Sequence, residues 1–287
     1  IATPGKTIQF KKFELKPHLI VLYPQVQFKQ IPLDIGSVIL GSGQDADIKL
    51  DDELVSRKHC QLTFDGKFVT VNDLGSTNGT YVDGQPVQKC TLEPDNRLQI
   101  GKMVLKIDFK DQNEEAFDRE LFEAATMDPL TKISNRRTFF DRSLGELALA
   151  RRNNFYVHTI MVDADHFKNV NDTWGHQAGD MVLKEIAKLL KEEKRESDLL
   201  ARYGGEEFIL LLAGIGPEDA KKSAERLRMA VERHRFSWND TIIPVTISLG
   251  LASKVGAEIP TVEEMIAESD KLLYIAKESG RNQVATA

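Results

Sequence analysis

Residues 199–213 read LLARYGGEEFILLLA, and this stretch decides the fold of the second half of the chain. Two apolar runs flank Gly204-Gly205, and paired glycines are typical of the tight turn between antiparallel strands. Glu206 and Glu207 follow the turn directly. Adjacent carboxylates repel one another unless a cation or solvent neutralises them. The turn is therefore both a fold signal and a candidate cation site.

Strands and helices alternate around this hairpin from residue 128 onward. The predicted strands are residues 157–162, 199–203, 208–212 and 245–251. Apolar residues at helical spacing form three stripes: Val182, Leu183, Ile186, Ala187 and Leu190; Ala220, Ala224, Leu227 and Val231; and Val262, Met265, Ile266, Leu273 and Ala276. This alternation predicts an α/β domain with an antiparallel hairpin inside its sheet. Asp163 and Asp165 follow the first strand, so we expect both beside the acidic turn, where oxygen ligands suit Mg²⁺.

Residues 8–109 show short strand-like runs separated by turns such as Asn78-Gly79 and Asp83-Gly84. No long segment there has helical periodicity, and this pattern predicts an all-β sandwich.

The connector 111–127 holds six acidic residues and one basic residue, and so carries most of the net charge of −6. Phe117, Leu121 and Ala124 lie at i, i+4 and i+7, which predicts an amphipathic helix with a narrow apolar stripe. The helix is either a solvated spacer or one that pairs with a second copy of the chain.

Composition excludes several classes of protein. The chain is 41% hydrophobic and 29% charged, as in globular domains. Its longest apolar run, residues 208–213, is far short of the ~20 residues that span a membrane. We see no secretory signal and expect a cytoplasmic protein. Neither half has the basic excess that binds nucleic-acid polymers. Cys60 and Cys90 are too few for a disulfide scaffold or a thiolate zinc site, and we expect two buried free thiols.

Five ordered motifs across residues 128–287 resemble the GGDEF family of diguanylate cyclases. They are residues 128–137, 163–172, 175–180, 202–208 and 274–282. The resemblance implies a palm-like nucleotidyl-cyclase fold and the condensation of two GTP into cyclic di-GMP with release of pyrophosphate. Each 3′-hydroxyl must attack the other GTP, so it also implies a two-fold homodimer.

The resemblance also implies roles for individual residues. The metal ligands for Mg²⁺ or Mn²⁺ would be Asp163, the backbone carbonyl of Ala164, and Glu206. Glu207 would be a further ligand or the group that activates the 3′-hydroxyl, and which group takes the proton stays open. Guanine recognition would fall on Asn171 and Asp180, because a carboxylate accepts from the N1–H and N2–H₂ edge that adenine lacks. The phosphates would be held by Lys168, Lys277 and Arg281.

A second resemblance within this half concerns regulation. Arg195-Glu196-Ser197-Asp198 is similar to the RxxD inhibitory site at which the family binds its product. An arginine can contact phosphate and stack on guanine, while an aspartate accepts from the guanine edge. Arg226 would add a secondary contact. The implied ligand is cyclic di-GMP.

The first half resembles the forkhead-associated (FHA) domain over about residues 19–109. The motif residues are Ser56-Arg57-Lys58-His59 and the loop 75–80. The resemblance implies a phosphothreonine site in which Arg57 contacts the phosphate, and Ser56 and Thr77 donate hydroxyl hydrogen bonds. Asn78 would hold the peptide backbone, and His59 would brace the loop.

One position departs from the FHA pattern. Ser42 stands where the family usually has arginine after glycine, and we expect this to weaken phosphate binding. The peptide would come from a phosphorylated partner or from the chain's own tail, through Thr3 or Thr7.

The sequence thus predicts an N-terminal tail (1–18), an FHA domain (19–109), an acidic linker helix (110–127) and a GGDEF domain (128–287). The favoured interpretation is a diguanylate cyclase regulated by phosphothreonine binding and by its product. The alternatives are a catalytically weak receptor for cyclic di-GMP and a phospho-dependent scaffold. GTP turnover with Mg²⁺ separates them.

Overall fold

The computed structural model describes residues 15–23 and 30–287. The chain divides into two compact units, Ile1–Leu121 and Phe122–Ala287. Thr3 and Thr7 lie outside the described residues, as does most of the predicted tail. The first strand begins at Lys16, ahead of the predicted domain start at residue 19.

The first unit is an all-β sandwich, as predicted. Its strands are β1 (Lys16–Tyr23), β2 (Gln30–Pro32), β3 (Gly36–Gly41), β4 (Ile48–Lys49), β5 (Cys60–Phe64), β6 (Val69–Asp73), β7 (Thr80–Val82), β8 (Gln85–Val87), β9 (Lys89–Leu92), β10 (Arg97–Ile100) and β11 (Met103–Lys110). One sheet has the order β2-β1-β11-β10-β7-β8 and the other β4-β3-β5-β6-β9. Alternate residues of each strand point inward. Leu19 and Leu98 of one sheet and Leu40 and Leu62 of the other therefore share one buried core.

The connector forms the predicted helix, α1 (Gln112–Thr126). None of its residues is buried, and Phe117 and Leu121 are 60% and 53% exposed. The start of α1 is fixed to the sandwich, because Lys110 forms an ion pair with Asp118 and Gln30 donates to the same carboxylate over 3.2 Å. The apolar stripe faces solvent in the described chain.

The second unit is the predicted α/β domain. Its strands are β12 (Ser134–Asn135), β13 (Tyr156–Ala164), β14 (Leu199–Gly204), β15 (Glu207–Ala213), β16 (Phe236–Trp238), β17 (Thr241–Ile243), β18 (Ile247–Val255) and β19 (Val284–Thr286). Its helices are α2 (Arg136–Asn153), α3 (Phe167–Trp174), α4 (His176–Glu193), α5 (Pro217–Arg233) and α6 (Val262–Glu278), with a 3₁₀ turn at Gly256–Glu258. The main sheet has the order β12-β14-β15-β13-β18-β19, and β16 and β17 form a separate hairpin.

Apolar stripes explain how the helices cover this sheet. All fourteen residues of the three predicted stripes are buried, on α4, α5 and α6. One core cluster includes residues of α4 and α5, and a second includes residues of α2 and α6. The alternation of strand and helix therefore produces the predicted architecture, with β13 central between β15 and β18.

The cysteines differ from one another. Cys60 is fully buried, and burial raises the pKa of its thiol to about 12. Cys90 is half-buried rather than buried, because β9 lies at the edge of its sheet. Among the described residues, no helix is long and apolar enough to cross a membrane.

Candidate functional site

The acidic turn lies at the end of β13. Gly205 forms the turn with a φ of +37°, a region that glycine adopts readily. Antiparallel pairing of β15 with β13 places Glu207 opposite Asp163. The backbone N–H of Ala164 donates to the Glu206 carbonyl over 3.3 Å. The pairing thus brings together Asp163, Ala164, Glu206 and Glu207, the four residues assigned to metal binding and proton transfer.

Arg202 braces this turn from one side. Its Nε and Nη2 donate to the Gly205 carbonyl over 3.0 and 2.7 Å, and its Nη1 lies 3.1 Å from Asp128. Asp128 also accepts from the N–H and hydroxyl of Thr131. Burial alone would raise the pKa of Asp128, but these hydrogen bonds hold it below its usual value. The sequence motifs contain Asp128, Thr131 and Arg202 but assign them no role.

Lys277 occupies an unexpected place. Its Nζ lies 2.8 Å from Asp163, whose side chain is only 8% exposed. Burial raises the pKa of Asp163 to about 6, although the Lys277 ammonium lowers it. The nearby carboxylates of Glu206 and Glu207 raise it further. A positive charge therefore already lies at the predicted metal ligand, while the phosphate role of Lys277 stays a prediction.

The donor set is compatible with Mg²⁺. Carboxylate and carbonyl oxygens are the ligands that Mg²⁺ prefers, usually completed by water and substrate phosphate. The predicted set has two carboxylates and one carbonyl. In the described ranges, no three His, Cys, Asp or Glu side chains are arranged to hold a metal ion. Water and substrate oxygens would complete the coordination of such an ion.

Glu207 lies in an electrostatically mixed environment. Burial raises the pKa of its carboxyl, and the negative charges of Asp270 and Glu206 raise it further. The cations Lys277 and Arg136 oppose this effect. Asp270, on α6, was not singled out from the sequence, because nothing in its local pattern links it to the hairpin.

The expectation for Asp165 was wrong. The sequence grouped it with Asp163 at the acidic turn, but its carboxylate accepts hydrogen bonds from Thr246, Ser248 and the backbone N–H of Asn282. Because β13 ends at Ala164, the next residue turns toward the β18 side of the sheet. The Asp165 carboxylate therefore serves as a structural anchor, and its hydrogen bonds go to Thr246, Ser248 and Asn282.

The guanine candidates lie on two helices that pack against each other, Asn171 on α3 and Asp180 on α4. Gly179 permits this packing, since a Cβ there would lie 2.0 Å from the Asn171 Oδ1. Asp180 is exposed. Of the phosphate candidates, Lys168 is exposed on α3 and Arg281 is exposed just beyond α6.

The RxxD residues form a compact corner after α4. Asp198 is 6% exposed and accepts from the backbone N–H of Arg195 over 2.9 Å. The Arg195 side chain is exposed. Arg226, on α5, pairs with Glu193 at 3.1 Å. Arg195 and Arg226 thus flank the same end of α4.

In the first unit, the predicted phosphothreonine residues converge on one loop cluster. The Ser56 hydroxyl accepts from the Thr77 N–H over 3.0 Å. Buried His59 accepts from the Ser56 N–H at Nδ1, and its Nε2 lies 3.1 Å from the Gly79 carbonyl. Asn78 donates to the Leu54 carbonyl over 2.8 Å. These contacts link the two motif loops to each other.

Arg57 lies beside an open cavity of about 530 Å³, whose lining residues are Gly43, Gln44, Asp45, Arg57 and Lys58. Ser42, which replaces the usual arginine, donates its hydroxyl to the Val55 carbonyl over 2.7 Å. The Ser42 hydroxyl thus already has a hydrogen-bond partner in the protein backbone. Arg57 and Lys58 supply the positive charge of this cavity.

Comparisons with known proteins agree with both resemblances. A family model described as the diguanylate cyclase GGDEF domain matches residues 125–283. The FHA domain model matches residues 38–101. The described structure of both regions, a sandwich followed by an α/β domain, fits these matches.

The chain is similar to curated diguanylate cyclases over part of its length. Diguanylate cyclase A of Treponema denticola is 38% identical over 168 residues, which cover 58% of this chain and 45% of that protein. A probable diguanylate cyclase of Escherichia coli, DgcT, is 45% identical over 163 residues, which cover 56% of this chain and 35% of that protein. The chain spans less than half the length of these curated relatives.

Solved structures show the same fold. The coiled coil and GGDEF domain of DgcB from Caulobacter crescentus, in complex with c-di-GMP, matches with a TM-score of 0.57 and 28% identity, covering 61% of this chain and 93% of that one. SiaD from Pseudomonas aeruginosa, solved with its activator SiaC, matches with a TM-score of 0.55 and 38% identity over 61% and 67% of the two chains. The family model covers more than half of the chain, and the chain therefore belongs to the GGDEF family of diguanylate cyclases, with an FHA domain ahead of its GGDEF domain.

Proposed function

We propose that this chain is a diguanylate cyclase that condenses two GTP into cyclic di-GMP and pyrophosphate. The observation that carries the proposal is the acidic turn of Glu206 and Glu207 beside buried Asp163, with Lys277 on the same carboxylate. Lys277 compensates only part of the negative charge of these three carboxylates, so the arrangement favours a further cationic ligand. Family membership supports the same reading.

Asp163, the Ala164 carbonyl and Glu206 would hold Mg²⁺ or Mn²⁺. The ion would supply charge neutralisation on the triphosphate, the main requirement of phosphoryl transfer. Lys277, which lies at the Asp163 carboxylate, would contact the incoming phosphates. Lys168 and Arg281 would contact the remaining phosphate oxygens. These residues position the α-phosphate and withdraw charge from the pyrophosphate that leaves.

The attacking group is the 3′-hydroxyl of a second GTP. The reaction takes two such transfers: in each, a new P–O bond forms at an α-phosphorus while its α–β bridge breaks, so that two pyrophosphates leave. We assign the hydroxyl proton to a Glu207 carboxylate oxygen, because Glu207 lies opposite Asp163 at the acidic turn and is not one of the three proposed metal ligands. Asn171 and Asp180 would orient the guanine through its Watson–Crick edge.

Two copies of the chain must meet for this reaction, since one site holds one GTP. The solvent-exposed stripe of Phe117 and Leu121 on α1 supports pairing with a second copy. The start of α1 is tied to the sandwich through Asp118. A ligand on the FHA domain would therefore act through the position of this helix.

The FHA domain would bind phosphothreonine in a partner or in the chain's own tail. The linked loops of Ser56 and Thr77 and the exposed guanidinium of Arg57 support this role. Titration with a phosphothreonine peptide tests it. Arg57→Ala should abolish binding and Lys89→Ala, an exposed lysine elsewhere on the sandwich, should not. Equal affinity for the unphosphorylated peptide would refute the role.

Product binding would involve Arg195, Asp198 and Arg226. Asp198 is almost fully buried, so its carboxylate would have to become more accessible to accept from a guanine edge. The exposed Arg195 side chain is the more direct contact.

The deciding experiment incubates the full chain with GTP and Mg²⁺ and analyses the products by chromatography. The wild type should make cyclic di-GMP and pyrophosphate. Glu206→Ala should lower turnover about 100-fold or more, by analogy with losing one group that stabilises transition-state charge. Glu192→Ala, an exposed glutamate on α4, is the control and should match the wild type. A wild type without product would leave the receptor or scaffold alternatives.

A further inference from the structure

Asp165 anchors the end of β13 to a distant part of the chain. It is 5% exposed, and both carboxylate oxygens accept hydrogen bonds. Oδ1 accepts from the Ser248 hydroxyl over 2.7 Å. Oδ2 accepts from the Thr246 hydroxyl over 2.7 Å and from the Asn282 N–H over 3.1 Å. A buried carboxylate is costly unless its oxygens are satisfied, as they are here. Through its hydrogen bond to Asn282, Asp165 joins the end of β13 to the segment after α6.

The backbone of that segment is unusual. Arg281 and Asn282 have φ values of +65° and +45°, and Gly280 before them has +112°. Non-glycine residues rarely adopt this left-handed region. A segment that had only to reverse direction would be easier to build with glycine at both positions. Strained backbone of this kind persists where several surrounding contacts hold it in place, and such places are common near functional groups.

Those surroundings come from α5 as well as from β13. Arg228 Nη1 donates to the Asn282 Oδ1 over 2.8 Å, and the Asn282 Nδ2 donates to Glu232 over 2.6 Å. Arg228 is itself held by Glu225 at 2.8 Å, with its side chain 14% exposed. The backbone of Asn282 is thus fixed by Asp165, and its side chain by α5.

We propose that Asp165, Asn282 and Arg228 are positioning residues that hold Arg281 ready for a GTP phosphate. The inference rests on the proposed function, in which Arg281 contacts phosphate, and assigns a use to a buried network that the motifs alone do not explain. None of the three is among the residues assigned to contact the substrate. Fixing the Arg281 backbone lowers the entropic cost of ordering a long side chain on binding.

The network also sets the spacing of two parts of the site. Asp163 and Asp165 are separated only by Ala164. The segment that carries the candidate metal ligands therefore holds Arg281 as well, through the Asp165–Asn282 hydrogen bond. A weakened hydrogen bond would disturb the phosphate contact while leaving the acidic turn in place. It should consequently raise KM for GTP more than it lowers kcat.

The test compares Asp165→Asn in the wild-type chain and in an Arg281→Ala chain. The amide places an NH₂ group against hydrogen-bond donors. KM should rise about tenfold, the effect of one lost charge-assisted contact, with kcat changed less than about threefold. In the Arg281→Ala background, the same change should add less than about twofold. An unchanged KM, or additive effects in the double variant, would overturn the inference.

A second pair guards against misfolding of the Asp165 variant. Asn282→Gly keeps the N–H and adopts positive φ readily, whereas Asn282→Ala disfavours that backbone. KM should rise less for glycine than for alanine, and the reverse order or equal values would refute the positioning role. A simple loss of packing predicts no advantage for glycine.

Equilibrium binding of a fluorescent GTP analogue to the same variants separates this inference from the proposed function. If the wild type binds GTP but makes no product, the proposed function fails. The Kd values for the GTP analogue still decide the positioning role, because Kd should rise less for Asn282→Gly than for Asn282→Ala. If the wild type does not bind GTP, both fail.

Discussion

Replacing Lys277 with alanine removes the ammonium that lies 2.8 Å from the Asp163 carboxylate. Removing one partner of a fully buried ion pair costs ~3–5 kcal/mol, and of an exposed pair ~0.2–1 kcal/mol. The Asp163 side chain is 8% exposed but that of Lys277 is 31% exposed, so the cost lies between these limits. We expect the C-terminal unit to lose about 2 kcal/mol at pH 8, or about 4–8 °C in Tm for a domain of this size.

The loss should depend on pH in a defined direction. The folded pKa of Asp163 is raised to about 6, so the folded state binds a proton there more readily than the unfolded state. Its ionised form destabilises the fold above that pKa, and the penalty is relieved as the pH falls. The Lys277 ammonium stabilises only the ionised form of Asp163. The difference in Tm between wild type and Lys277→Ala should therefore shrink to less than half between pH 8 and pH 5.

Tryptophan fluorescence reports this unfolding selectively, because the chain has two tryptophans, Trp174 and Trp238, both in the C-terminal unit. Melts are recorded in EDTA to remove divalent ions. Lys271→Ala, an exposed lysine on the same helix, is the matched control and should not change Tm. Lys277→Ala should also be nearly neutral in an Asp163→Asn background. A Tm difference that is equal at both pH values, or that persists in this background, would refute the reasoning.

Three further predictions follow from contacts described above. Asp73 is 7% exposed and accepts hydrogen bonds from the loop residues Ser76 and Thr80. Asp73→Ala should therefore destabilise the sandwich by about 2–3 kcal/mol in circular-dichroism melts and weaken phosphopeptide binding. An unchanged melting midpoint would contradict this prediction. Arg195→Ala should relieve product inhibition in progress curves with added cyclic di-GMP, whereas equal inhibition of both proteins would exclude this residue. Gly179→Ala should lower the unfolding free energy of the C-terminal unit by about 1–3 kcal/mol through overpacking, and should raise KM for GTP. Wild-type values of both quantities would show that α3 and α4 can separate freely.

The elements of both units could be predicted because their signals are local. The stripe that includes Val182 and Ile186 follows the period of a helix, and Gly204-Gly205 marks a hairpin in any sheet. The position of the acidic turn beside Asp163 followed from assembling strands in the simplest antiparallel order.

The partners of single side chains could not be predicted in this way. Asp163 and Asp165 have the same residue type and neighbouring positions, yet only the first lies at the turn. The difference depends on where β13 ends and on hydroxyls of Thr246 and Ser248, more than eighty residues away. Lys277 likewise pairs with a carboxylate more than one hundred residues away. Such contacts depend on the assembled sheet, which no local pattern encodes.

If α3 and α4 hold guanine as proposed, the close approach at Gly179 limits how that site can be redesigned. A methyl group at that position would overlap the Asn171 side-chain oxygen, so it would displace the Asn171 amide or separate α3 from α4. A larger residue at Gly179 would therefore disturb a proposed guanine contact rather than simply reshape the site around the base. A redesign would have to exchange the polar ends of Asn171 and Asp180 and keep the helix spacing intact.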